Sequence, residues 1–152
     1  QDSLSKKVEP NVCPSSQRFA AIARLGEAGI FAGILLMPVL PFLEDSESNV
    51  LSIVRLARES GARFIYPAFG MTLRDNQRDW YYRQLEKRFP GEDLKKRYVA
   101  TYGARYSCVS PNAPSLWKAF AGACQRAGIL YRMEDIIAAY RGSYETNQLK
   151  LF

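Results

Sequence analysis

The sequence AGIFAGILLMPVLPFLED, residues 28–45, contains an apolar run at residues 30–39 that is enclosed by a glycine and two prolines. A short apolar run with such borders favours a strand buried on both faces, which is typical of parallel sheets. The acidic turn after the run predicts the start of a helix, with Asp45 or Ser46 as its N-cap. The stretch therefore predicts one strand-to-helix step of a parallel α/β fold, with its functional edge at residues 37–45.

Helix and strand patterns alternate on both sides of this run. Apolar spacing predicts helices at residues 15–29 and 46–61, and RFIYPAF at residues 63–69 predicts a second strand. Connections of a few residues between such elements are the pattern of right-handed βαβ units. For the remaining chain we expect loops at residues 1–14 and 103–114 and a strand at 128–132. Helices are expected at residues 75–89, 92–102 and 134–140. A further helix is expected to begin at Ser115, with Trp117, Phe120, Ala121 and Cys124 facing inward.

Composition narrows the possible functions. A chain of 152 residues, 47% of them hydrophobic, can build one core and is too short for two ordinary domains. Histidine is absent, which excludes Ser-His-Asp and Cys-His catalysis and histidine-ligated zinc. The spacings of the three cysteines, Cys13, Cys108 and Cys124, fit neither a disulfide framework nor a metal site. This predicts that the protein is located in a reducing cytoplasm. No apolar run is long enough to cross a bilayer, so we expect a soluble protein without a membrane partner.

The net charge of +6 leaves two interpretations open, a polyanion-binding protein or a merely basic surface. The same choice applies to Tyr98, Tyr102 and Tyr106, which recur every four residues among basic side chains. Such a stripe can stack bases and hold phosphates. More often it belongs to a helix that packs on the fold while its basic face is solvated.

The carboxyl ends of parallel strands are where α/β folds bind ligands. The two predicted strands bring five polar residues toward a common rim, namely Glu44, Asp45, Thr72, Arg74 and Asp75. Arg74 is predicted to hold a carboxylate or phosphate in bidentate fashion. The alternative is that the two aspartates are helix caps and Arg74 is a surface ion-pair partner. No phosphate-binding glycine motif is present, which argues against nucleotide-triphosphate chemistry.

Two segments carry a family resemblance: EPNVCPSSQRFAAIARLGEAGIFAGILLMPVLPFLED at residues 9–45 and GARFIYPAFGMTLRD at residues 61–75. Together they resemble the second half of the radical SAM partial barrel, in its spore-photoproduct-lyase-like or "DNA repair photolyase" branch. The resemblance implies an α/β fold, the C-terminal portion of a parallel partial (β/α) TIM-like barrel with additional C-terminal helices. It divides the chain into a half-barrel at residues 1–90, a helical extension at 91–140 and a flexible tail at 141–152.

The resemblance also implies a cofactor and a chemistry. In that family a [4Fe-4S] cluster cleaves S-adenosylmethionine to a 5′-deoxyadenosyl radical, and DNA lesion repair is one activity. The fifth barrel strand lies beside the adenine, which makes Ile34, Leu36 and Met37 candidate cofactor contacts, with Arg74 at the rim. The CxxxCxxC cluster motif is missing here, so we expect no cluster, no catalytic residue and no catalysis in this chain alone. The motif is expected upstream of Gln1.

The final residues QLKLF, at 148–152, resemble the bacterial sliding-clamp-binding pentapeptide. In that interpretation Gln148 forms hydrogen bonds while Leu149, Leu151 and Phe152 fill an apolar pocket; a tail that folds back is the alternative. The second functional hypothesis is accordingly a non-catalytic basic α/β module that binds DNA and docks to a clamp through its tail. A half-barrel also leaves a sheet edge open, which predicts self-association or a rearranged packing.

Overall fold

The computed structural model describes residues 2–145 and is predominantly helical. Its elements in chain order are α1 Asp2–Val8, α2 Ser15–Glu27, β1 Gly33–Leu36, α3 Glu47–Glu59, β2 Phe64–Pro67, β3 Gly70–Thr72, α4 Asp75–Arg88, α5 Leu94–Tyr102, β4 Ser107–Val109, α6 Ala113–Ala127 and α7 Met133–Glu145.

The strands form two small sheets. Strands β1 and β2 pair in parallel, and Leu130 adds one isolated parallel bridge to Phe64. Strand β3 pairs antiparallel with β4 in a separate sheet. The predicted portion of a parallel TIM-like barrel is therefore wrong, because within residues 2–145 each sheet has only two strands and helices make up most of the chain. The expected strand at residues 128–132 contributes a single bridge, since α7 begins directly after it.

Strand β1 is shorter and less buried than its apolar sequence predicts. Only Gly33–Leu36 is a strand, and the side chain of Leu35 is 65% exposed. The prediction of a strand buried on both faces is thus wrong. The reason is that side chains alternate between the two faces of a strand: Ile34 and Leu36 pack against buried core residues, and Leu35 projects from the opposite face, which the described chain leaves largely uncovered.

Two hydrophobic clusters hold the fold together. The first lies between α3 and α6 and is built around Val50, Ile65, Phe120 and Cys124. The second joins α4 and α5 to the β3–β4 sheet and is built from Leu73, Tyr82, Leu85, Phe89, Leu94, Tyr98, Tyr102 and Cys108. Cys124 is completely buried, as predicted for a small core residue.

Three further differences from the expected elements bear on the candidate site. Helix α1 occupies part of the segment predicted as a loop, and β4 lies inside the second predicted loop. Helix α7 continues to Glu145, so the boundary predicted at residue 140 falls within a helix. The predicted clamp-binding residues Gln148, Leu149, Leu151 and Phe152 lie outside the described residues. Within the described chain, no helix combines the length and the apolar character that a membrane span requires.

Candidate ligand-binding site

An open apolar cleft lies at the carboxyl ends of the two parallel strands. It has a volume of about 850 Å³. Its lining is dominated by apolar side chains from both strand ends, from β3 and β4 and from α6, chiefly Met37, Pro67, Phe69, Met71, Val109 and Trp117. We call this surface the apolar cleft. Its position is the one at which parallel α/β structures bind ligands.

The strand ends that form the cleft are held by backbone hydrogen bonds. Ala68 N–H donates to Leu36 O at 2.9 Å, and Val39 N–H donates to Ala68 O at 2.9 Å. Between these two bonds runs the cis peptide from Met37 to Pro38. Met37 is 40% exposed at the cleft, on a backbone fixed from both sides.

Trp117 gives the cleft an aromatic wall. Its ring packs against Phe120 and Tyr131 at centroid distances of 6.0 Å. Phe69 meets the same cluster edge-on, 5.8 Å from Phe120. Trp117 nevertheless remains 45% exposed, so the ring that was predicted to face inward is only partly covered. The spacing of Trp117 and Phe120 predicts only that both lie on one side of α6. Which of the two side chains is covered depends on the neighbouring strand ends.

The residues predicted to bind a cofactor do not all meet here. Met37 lines the apolar cleft, whereas Leu36 and Ile34 pack against the first hydrophobic cluster. Arg74 directly precedes α4 and does not line the cleft. The Arg74 and Thr72 side chains form hydrogen bonds with the exposed Tyr106, and these hydrogen bonds lower the pKa of Tyr106. Of the four candidates, only Met37 lies at the cleft.

The rim carboxylates have separate roles. Ser46 caps α3 by accepting a hydrogen bond from Asn49 N–H, so the alternative of Asp45 as the cap is wrong. Asp45 is instead buried, where it accepts hydrogen bonds from Phe42 N–H and from the Ser110 hydroxyl. Asp75 begins α4. The two aspartates therefore do not form the predicted common rim: Asp45 is a structural anchor, and Asp75 is at the beginning of a helix.

A second cavity lies on the other side of the segment from Met37 to Pro38. It has a volume of about 360 Å³ and is enclosed by α1, α3, α4 and the loop after β1. Its polar lining includes Glu9, Arg18, Glu44 and Asn49. We call it the polar pocket. No sequence pattern indicates this pocket, because α1, which forms one of its walls, lies in a segment whose polar sequence predicts a loop.

Glu44 is the carboxylate of interest in the polar pocket. Its Oε2 accepts a hydrogen bond from Leu40 N–H at 3.0 Å. Burial raises the pKa of Glu44, an effect that this hydrogen bond opposes and that the nearby Glu9 carboxylate reinforces. The protein therefore keeps a partly desolvated carboxylate beside an open cavity.

Replacing Glu44 with glutamine is expected to raise the free energy of unfolding at pH 7. A carboxyl whose pKa is raised by folding stabilises the protein at low pH, and this contribution is lost as the pH rises through the folded-state pKa. The difference in the free energy of unfolding between the variant and the unmodified chain should therefore become smaller as the pH is lowered. Urea unfolding of both proteins at neutral and acidic pH measures it, with Glu92→Gln at an exposed position as the control. A destabilised Glu44→Gln variant at pH 7 would contradict the prediction.

Two of the three tyrosines of the predicted stripe belong to the core. Tyr98 and Tyr102 are buried, and the Tyr98 hydroxyl donates to Pro41 O at 2.9 Å. Tyr106 is 55% exposed. Lys95 and Lys96 form ion pairs with Glu86 and Asp93. Tyr98 and Tyr102 therefore pack on the fold and cannot stack bases, whereas Tyr106 lies on the surface. DNA as a partner stays a prediction of the sequence.

Comparison with known proteins gives distant relatives. No family model and no solved structure matches the chain. The chain is similar to "Uncharacterized protein Rv2578c" of Mycobacterium tuberculosis, with 29% identity over 99 residues. "Uncharacterized protein Mb2609c" of Mycobacterium bovis matches to the same extent. The match covers 65% of this chain and 28% of each relative, so the matched segment corresponds to under a third of their length.

The described residues do not fit an iron–sulfur cluster. Cys13 is exposed, whereas Cys108 and Cys124 are buried in different hydrophobic clusters. Three thiolates at one place are needed to hold a [4Fe-4S] cluster with an open iron. Across residues 2–145, no three His, Cys, Asp or Glu side chains are grouped so that they could hold a metal ion. No step of a reaction is therefore assigned to a metal held by these residues.

Proposed function

We propose that this chain supplies the adenine-side wall of an S-adenosylmethionine site in a longer radical SAM protein of the photolyase-like branch. The observation that carries the proposal is the apolar cleft at the carboxyl ends of β1 and β2, with Met37 at its edge. Met37 is also one of the candidate cofactor contacts that the sequence resemblance implies, together with Ile34, Leu36 and Arg74.

The lining of the apolar cleft suits a flat heteroaromatic ring. Trp117 offers an aromatic surface, and the Met37 thioether is a soft group that packs well against rings. The Ser107 hydroxyl also lines the cleft and is available for a hydrogen bond, whereas the Thr72 hydroxyl already bonds Tyr106. Among the described residues, no charged side chain lines this cleft. It therefore fits the adenine of the cofactor, and the charged amino-acid part would be bound by residues elsewhere.

The contribution of this chain is binding and shielding. Bound S-adenosylmethionine would supply a carbon radical in the longer protein, through one-electron cleavage of its carbon–sulfur bond with release of methionine; the electron would come from a cluster held by residues other than the described ones. Phe69, Met71 and Val109 would keep water from the adenine side of the ligand. The proposal includes a reducing, cytoplasmic location, in which the three free thiols persist.

Trp117→Ala is expected to weaken adenosine binding by this chain about tenfold or more. Base–aromatic stacking contributes about 1–3 kcal/mol per base, and 1.4 kcal/mol corresponds to a factor of ten. Titration calorimetry with adenosine, S-adenosylmethionine and methionine measures the effect. We expect the first two ligands to bind with similar affinity and methionine to bind far more weakly, because the cleft receives only the adenine.

Trp80→Ala is the matched control, since Trp80 is 56% exposed and does not line the apolar cleft. This variant should bind adenosine as the unmodified chain does. Failure of adenosine to bind at millimolar concentration, or an equal loss in both tryptophan variants, would refute the assignment of the cleft.

A further inference from the structure

The polar pocket has the size and enclosure of a small-ligand site. Leu4 and Val8 of α1 form one wall, and Tyr81 of α4 contributes to the lining. The Tyr81 hydroxyl is occupied, because it donates to the Tyr98 hydroxyl at 3.0 Å. These side chains provide an apolar surface for a short alkyl chain, and the polar groups lie beside it.

The pocket presents two free acceptor groups, and the Ser5 and Ser15 hydroxyls that also line it can either donate or accept. Glu44 uses one carboxylate oxygen for Leu40 N–H, and its other oxygen has no hydrogen-bond partner among the described residues. Asn49 donates its side-chain amide to Glu44 O at 2.9 Å, which leaves the Asn49 amide oxygen as an acceptor. A ligand that donates several hydrogen bonds would satisfy both oxygens.

The charges around the pocket leave Glu44 without a direct ion-pair partner, although Arg18 still attracts this carboxylate and lowers its pKa. Arg18 forms an ion pair with Glu9 and also donates to Cys13 O at 3.0 Å, so its guanidinium is already engaged. Within residues 2–145, Glu44 takes part in no ion pair. The titratable groups that share the pocket with Glu44 are Glu9, Arg18 and Tyr81. Burial of an unpaired carboxylate is unfavourable, and a bound cation would relieve it.

We propose that the polar pocket binds a small organic cation, an alkylammonium or alkylguanidinium group, with Glu44 as its counter-ion and Asn49 as a second acceptor. The alkyl chain lies along the apolar wall of Leu4, Val8 and Tyr81. The pocket and the apolar cleft share Met37 and Pro38 as a partition. The inference does not rest on the proposed cofactor site, and either one can fail without the other.

The test is a titration of the chain with n-butylammonium and n-butylguanidinium, with 1-pentanol as the neutral ligand of similar shape. Both cations should bind saturably and shift the amide resonance of Leu40, which donates to Glu44, whereas the alcohol should not. Glu44→Gln should weaken binding about tenfold or more, because a hydrogen bond to a charged group is lost. Glu92→Gln, at an exposed position outside the pocket, should bind as the unmodified chain does.

Three outcomes would overturn the inference: no saturable binding of either cation, equal binding of the alcohol, or unchanged affinity in Glu44→Gln. If the glutamine variant does not fold, the comparison of cation with alcohol on the unmodified chain decides the question. The relative affinities of the two cations show which headgroup the pocket prefers.

Discussion

Replacing Asp45 with alanine is expected to lower the free energy of unfolding by about 3 kcal/mol, because it removes a buried carboxylate that serves two donors. Asp45 is 6% exposed and accepts from Phe42 N–H at 2.7 Å and from the Ser110 hydroxyl. Phe42 has a φ of 66°, a conformation that costs energy for a non-glycine residue. Without the carboxylate, that turn loses its tether and the Ser110 hydroxyl loses its acceptor.

The loss should appear as a lower midpoint in urea unfolding, followed by far-ultraviolet circular dichroism. Asp79→Ala removes an exposed aspartate on α4 and should change stability by less than about 0.5 kcal/mol. Ser110→Ala should lower the free energy of unfolding through loss of the same hydrogen bond. The double variant Asp45→Ala/Ser110→Ala should therefore be destabilised by less than the sum of the two single effects. Strict additivity would show that the two side chains are not coupled.

Replacing Phe120 with alanine is expected to cost about 4 kcal/mol, which is typical of a fully buried aromatic side chain. Phe120 has no exposed surface and lies at the centre of the first hydrophobic cluster. Its ring is 5.8 Å from Phe69, 6.0 Å from Trp117 and 5.9 Å from Tyr131. A cavity there would also loosen the aromatic wall of the apolar cleft.

The measurement is again the midpoint of denaturant unfolding, and adenosine binding is measured on the same samples. Trp80→Ala deletes a larger but 56% exposed ring and should cost far less. Phe120→Leu should recover much of the loss, because it refills most of the cavity. A Phe120→Ala variant as stable as the unmodified chain would show that the first cluster is not packed around this ring.

Helices with strong local signals agree with the sequence analysis. Helix α3 begins after the capping hydroxyl of Ser46 and ends before Gly61, whose φ is +72°. Helix α4 begins at Asp75, as predicted. A capping side chain and a terminal glycine act on the few residues beside them, so these boundaries can be found without knowledge of the rest of the fold.

The barrel portion was not predictable in the same way. An apolar run at residues 30–39 looks like a central strand, yet only Gly33–Leu36 pairs, and Leu35 is exposed at the edge. Strand β4 escaped prediction because three residues form it solely by pairing with β3, more than thirty positions earlier. Strand number and sheet order depend on distant partners, which no local pattern contains.

By itself the sequence determined the order of the main helices, the burial of Cys124 and the absence of histidine chemistry. Only the tertiary structure decided that Arg74 lies off the cleft, that Asp45 is an anchor and that Glu44 faces a pocket under α1. The physical reason is the range of the interactions: helix caps and apolar periodicity act over a few residues, whereas burial, charge pairing and cavities arise from segments far apart in the chain.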